Sequence, residues 1–249
     1  MVIADRYARA VWKADSLLAT WTPDRRIAVG DVVSRGPGGG VLVEGKLSDL
    51  VDGELPRVAV TEAATSTLLQ SGVTVEASAD AGLPAGVARI SLTGSRSFLF
   101  TGGTARLKSF ETVAGLRTRL VALSGLGRWD AEWHLVTAVR EHSASTVMIA
   151  ESDAVKAEIR VQGSGIVESL AGITAGSRVS VTSGRAATYT MGRCTPFYEA
   201  LRIRRRLLGT RVDQVTLDGG GGEPVPAVLD DLDSLEVVRV TVYDVGMLD

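Results

Sequence analysis

The amino-acid sequence predicts an α+β fold: a twisted, mixed or antiparallel sheet with long hairpins and peripheral helices. Three observations lead there. Apolar and polar residues alternate through Val73, Val75, Ala77 and Ala79, through Ala88, Ile90 and Leu92, and through Val155, Ala157, Ile159 and Val161. A period of two places each set on one face of a strand. Helical spacing is clearest in one stretch near the N-terminus and one around Leu116. Glycine, at 28 of 249 residues, supplies frequent turns, its usual share being about 7%.

Residues 5–20 read as an amphipathic helix. Tyr7, Val11, Ala14 and Leu18 form its apolar stripe, Asp5 caps the start and Pro23 ends the segment. Arg6, Arg9 and Lys13 lie off the stripe, with Trp12 beside them. Ile27–Val33 and Val41–Val43 follow as a hairpin around the loop 35–40. That glycine run lacks the Lys-Ser/Thr pair and the following helix of a phosphate-binding loop. Lys46–Leu50 is a turn-bounded segment, and Thr61–Ser71 reads as a short helix closed by Gly72. Alternation then predicts one long hairpin from Val73 to Phe100, turning at 82–86.

Phe110, Val113, Leu116, Leu120 and Leu123 return to helical spacing, with Gly125 as the terminator. His134–Val139 is a strand. Thr146–Ile149 and Val155–Val161 flank a turn at 151–154, and Arg178–Thr182 and Ala186–Met191 flank Ser183–Gly184 as another pair. Thr195–Pro196 suits a helix start, whereas the alternation Leu201–Arg204 suits a strand; both readings stand for 195–208. Asp218–Gly222 with Pro224 and Pro226 is a linker, and β-branched Leu235–Tyr243 reads as a last strand. The expected organisation is a β-rich domain over 1–209, a Gly/Pro/acidic linker over 210–234 and a C-terminal strand or tail over 235–249.

A net charge of −2 conceals an asymmetry. From residue 210 onward nine acids face only Arg211 and Arg239, so this segment carries −7 and the preceding 209 residues +5. Such a tail suits either a solvated terminus that keeps the protein soluble or masking of a basic surface. His134 and His142 stand at no common metal-ligand spacing, and Cys194 is the single cysteine. No Rossmann fingerprint or Gly-x-Ser-x-Gly elbow is present. The sequence therefore predicts no enzyme, cofactor or metal. Arg202, Arg204, Arg205 and Arg206 form the densest basic run, but aromatic residues are sparse, so nucleic acid is not expected as a partner. No run of about 18 apolar residues encodes a transmembrane helix, and the N-terminus lacks the pattern of a secretory signal.

The order of elements after residue 72 resembles the pore-forming domain of gasdermins. Trp133–Val139 looks like that family's Val-Thr-rich strand. The regions Val73–Phe100 and Thr146–Val161 stand where its membrane-inserting hairpins would be, and Tyr189–Tyr198, leading to Leu201 and Ile203, looks like its closing strand. Bacterial members are of similar size, with a short inhibitory tail and an N-terminal cysteine for lipid attachment; here the cysteine is Cys194 instead. The resemblance implies a bacterial defence and cell-death effector, cytoplasmic when inactive, that forms homo-oligomers in anionic membranes once a protease releases its tail. Release is expected near Gly219, Gly220, Gly221 and Gly222. A helix carrying Arg6, Arg9, Trp12 and Lys13 suits anionic head groups. Alternating strands of roughly 9–11 residues suit a membrane barrel. A non-enzymatic, β-rich module that binds or assembles with a protein partner is the alternative.

Overall fold

The computed structural model describes residues 3–36, 39–76, 87–94, 97–160, 178–205 and 235–239. In chain order these form α1 (Ile3–Asp15), β1 (Leu18–Ala19), β2 (Asp31–Arg35), β3 (Val41–Lys46), β4 (Val58–Ser71), β5 (Val73–Glu76), β6 (Val87–Thr93) and β7 (Phe98–Phe110). There follow α2 (Ala114–Gly125), β8 (His134–His142), β9 (Ser145–Ala150), β10 (Ala154–Arg160), β11 (Arg178–Ser183), β12 (Ala186–Met191), β13 (Cys194–Arg205) and β14 (Leu235–Arg239). The fold is sheet-rich with few helices, and the described strand pairs are antiparallel.

Most of these strands are pieces of four long courses lying side by side. The first course is β4–β5, the second β6–β7, the third β8–β9–β10 and the fourth β11–β12–β13. In the larger sheet β4 pairs with β7, β7 with β8 and β9, β9 with β12 and β8 with β13. The same courses continue into a four-stranded sheet of order β11-β10-β6-β5. Beyond this ribbon, β2 pairs with β3 and β8, while β1 and β14 both line the outer edge of β13.

The courses turn from one sheet to the other along one transverse line. Gly72, Gly94 and Gly184 occupy it with φ of +64°, +94° and +79°, a region open to glycine and strained for other residues. Hydrogen bonds stitch the turn across the ribbon: Gly94 N–H donates to Asp153 O at 2.6 Å, Ala150 N–H to Ser97 O at 2.9 Å and Glu151 N–H to Arg185 O at 2.8 Å.

Alternation along β7 explains how both faces of the ribbon are buried. Phe98 and Phe100 pack with Val147, Ile149 and Phe197 against Tyr7 and Val11 of α1. Their neighbour Leu99 points the other way and joins Met148, Ala150, Ile90, Leu92, Val155, Ala157 and Ile159, so the smaller sheet closes over the larger one's apolar face. All six residues of β9 are consequently buried. At the opposite end α2 lays Leu116, Leu120 and Leu123 on Phe110, Leu135, Leu201 and Ile203, the apolar stripe that its spacing predicts.

Several expectations need correction. Thr61–Ser71 is not a helix: it belongs to β4, which pairs with β7 from Val58↔Phe110 to Ser71↔Phe98. Tertiary pairing overrides local spacing there, and its threonines suit a strand. The N-terminal helix ends at Asp15, where Ser16 adopts φ of +53° and Leu18–Ala19 turns out to pair with β13. Val73–Phe100 is not one hairpin in one sheet, because Phe98–Phe100 lies beyond the bend at Gly94. Nor do β9 and β10, or β11 and β12, pair with each other; each couple is one course crossing the bend, paired to its neighbours instead. Gly125 is the last helical residue of α2, and Gly127 takes the left-handed position with φ of +66°. The undecided segment from Thr195 is a strand through Arg205. The last strand is described over Leu235–Arg239; the other residues of 206–249 lie outside the described set.

Candidate functional site

A second transverse irregularity crosses all four courses. Ala63 pairs with Ala105, Ala105 with His142 and His142 with Cys194; on its far side Thr67 pairs with Gly102, Gly102 with Ser145 and Ser145 with Met191. Ser143–Ala144 and Gly192–Arg193 interrupt the third and fourth courses, while β4 and β7 run through with register shifts between Ala63 and Thr67. Bulges of this kind re-aim side chains and commonly mark functional places in sheets.

Two sets of side chains converge on this line. Glu141 accepts from Lys108 Nζ at 2.8 Å through Oε2 and from Arg193 Nε at 2.7 Å through Oε1. The triad therefore ties β7, β8 and the β12–β13 junction. The Lys108 hydrogen bond, with the charges of Lys108 and Arg193, holds the carboxyl below the usual range despite opposing desolvation. Next to it His142 is fully buried, its ring 5.4 Å from Phe100 and 6.1 Å from Phe197, with Nδ1 3.1 Å from Gly103 O. The absent side chain of Gly102 makes room, since a Cβ there would overlap the imidazole. Burial, the largest influence, pushes the imidazole pKa down; the Gly103 hydrogen bond opposes this and Arg140 adds to it. Among the described residues His142 Nε2 and Tyr7 OH lack a hydrogen-bond partner.

Cys194 lies across from His142 in register, but its sulfur contacts Ser145 Oγ at 3.0 Å. Burial pushes the thiol pKa up, which lowers its thiolate content and its value as a nucleophile. Among the described residues no three His, Cys, Asp or Glu side chains are grouped to hold a metal ion. No described helix is long and apolar enough to cross a membrane, which says nothing about strands.

Of the predicted lipid-contact residues, Arg9, Trp12 and Lys13 all fall on α1, as does Arg6, whose side chain lies outside the described set. Lys13 is exposed and Arg9 half-buried. Trp12 is also half-buried, packed toward Ala8 and the cluster that contains Leu18, Val33 and Tyr198, so it serves partly as core. Asp5 on the same helix pairs with Arg35 at 3.0 Å. Gly219–Gly222 lie outside the described residues. Sequence reasoning missed Glu141 and its partners. The one local signal was a charged triplet, Arg140-Glu141-His142, closing an otherwise apolar strand.

Glu141→Gln is expected to lower stability at neutral pH by about 1 kcal/mol, the scale of partly exposed ion pairs. Because the folded-state carboxyl pKa is depressed, its contribution is full above the unfolded value and disappears as pH falls through the folded one. The difference from wild type in urea unfolding should therefore close in acid; a gap that is constant with pH would exclude the ionic origin.

A scan against protein-family models matches none, and a search of the curated proteins finds no match to this chain.

Proposed function

We propose that this α+β protein is a pore-forming, gasdermin-like effector that oligomerises in membranes after its acidic C-terminal segment is released. The supporting observation is the four-course ribbon. Its outer courses carry unshared edges, since among the described pairings β4 and β5 bond only to β7 and β6, and β11 and β12 only to β10 and β9. One such edge meeting the opposite edge of the next copy is a head-to-tail contact, the kind that generates rings. Strands β4 and β7 have 14 and 13 residues, enough for a span of roughly 9–11. The apolar face that faces lipid in this reading is buried inside the ribbon's bend in the closed chain, and a closed barrel satisfies every edge.

In this reading β14 restrains the closed form. It occupies the edge of β13 from Leu201↔Arg239 to Arg205↔Leu235, placing acidic Glu236 across from Arg204 in register. A protease acting near Gly219–Gly222 separates it covalently from the ribbon. The partners are then further copies of the chain, an anionic membrane and the protease; the resting protein is cytoplasmic.

Vesicle leakage tests the proposal. Protein cleaved or truncated near Gly219–Gly222 is expected to release dye from anionic vesicles, whereas the full chain is not. Absence of leakage and of vesicle binding by both forms would sink it. A stoichiometric host protein bound without membrane association would instead favour the interaction-module reading, for which the edge of β4, with Val58 and Val60 44% and 56% exposed, is the natural docking strand.

A further inference from the structure

Beside the Glu141 triad opens a cleft of about 390 Å³. Four cationic residues line it, each from a different segment: Arg26 from the loop before β2, Lys46 from the end of β3, Lys108 from β7 and Arg193 from the β12–β13 junction. Two carboxylates also line it, Asp31 and Glu141, and both are committed internally. Asp31 is buried and accepts from Ala28 N–H at 2.7 Å, while Glu141, with its side chain 14% exposed, holds Lys108 and Arg193. The acids thus form a floor beneath a more exposed cationic rim. Arg26, Lys46 and Arg193 are exposed, and Arg26 Nε is braced on Arg193 O at 3.1 Å.

We infer that this cleft binds a compact, water-soluble polyphosphate anion. The chemistry of the lining selects that class. Four cations against two carboxylates leave a net of two positive charges, which a multiply charged anion neutralises. The rim nitrogens retain donors beyond those already used, because an ammonium offers three and a guanidinium five. Charge-assisted hydrogen bonds from several such groups are the usual way of holding phosphate oxygens. Among the described residues no aromatic ring lines the cleft, so they provide no platform for stacking a base. Of its apolar lining residues Ile27 and Val139 are buried in the core and exposed Ala28 offers only a methyl group, too little to seat an acyl chain. These two absences favour a free phosphate compound over a nucleic acid or a lipid headgroup. The site does not rest on the pore reading, because it is argued from the lining residues of the described structure alone.

Isothermal titration of the full chain with inorganic pyrophosphate at low ionic strength tests the inference. Saturable binding is expected, weakening as salt is raised. Arg26→Glu and Lys46→Glu are expected to weaken it about tenfold or more each, the loss of one charge-assisted contact. Both side chains are exposed, so unchanged circular dichroism would show that the variants fold. Lys156→Glu, on exposed β10 surface away from the cleft, should bind as wild type does. No binding by wild type overturns the inference, as does binding that Arg26→Glu and Lys46→Glu leave intact. Capture on phosphoinositide-containing vesicles without any response to pyrophosphate also overturns it, assigning the phosphate chemistry to a membrane.

Discussion

Gly184→Ala is expected to destabilise the protein by about 2–4 kcal/mol. The residue's φ of +79° places it in the left-handed region, which costs an L side chain roughly 1–2 kcal/mol. The new methyl would also overlap the carbonyl oxygen of Ala154 and crowd Val155 Cα, both backbone atoms. Backbone at a hydrogen-bonded corner has little freedom to retreat, and overpacking of this kind adds roughly 1–3 kcal/mol. The contrast is Gly115→Ala at an exposed position of α2, where a Cβ meets nothing within 4 Å; there alanine should stabilise by roughly 0.5–1 kcal/mol through helix propensity. Urea unfolding of both variants decides the matter. Equal shifts in the two would mean that the bend does not depend on glycine at this position.

Phe100→Ala should be costlier still, at about 3–5 kcal/mol, the range for deleting a buried aromatic ring and leaving a cavity. Phe100 is wholly buried, with its ring 4.6 Å from Phe197 and 5.4 Å from His142, and it belongs to the cluster beneath α1. The substitution has a second signature. In the wild type the buried imidazole titrates below its unfolded value, so the unfolded chain binds the proton first and stability falls as pH drops below about 6.5. Opening space beside the ring lets water reach it and flattens that slope. Unfolding curves collected across this pH range should show both a lower plateau and a shallower decline. A full-sized acid decline in the variant would place the imidazole's desolvation elsewhere.

These two substitutions probe features of unequal visibility in the sequence. Alternation exposed the apolar faces of β6 and β10, since a period of two is a property of neighbours along the chain. The stripe Leu116, Leu120, Leu123 revealed α2 for the same reason. The segments 151–154 and Ser183–Gly184 marked interruptions, yet an interruption is compatible both with a hairpin turn and with a strand that bends and continues. The hairpin was the shorter-range solution and the wrong one. Only pairing with neighbours on either side distinguishes them, and those neighbours lie dozens of residues away. Thr61–Ser71 failed similarly, its local pattern outweighed by pairing with β7.

The bulge line and its cleft were less visible still. Glu141 finds Lys108 and Arg193 at separations of 33 and 52 residues, with no spacing rule to connect them. His142 fits because Gly102, on another course, lacks a side chain. Charge asymmetry, a sheet-rich class and two stretches of helical spacing are sums or short periodicities, and such quantities survive in a linear string. Which strands continue through a bend, which edges stay open and which charges share a cleft depend on long-range register. Register is set by the burial of both ribbon faces at once, a condition met only when all four courses are in place.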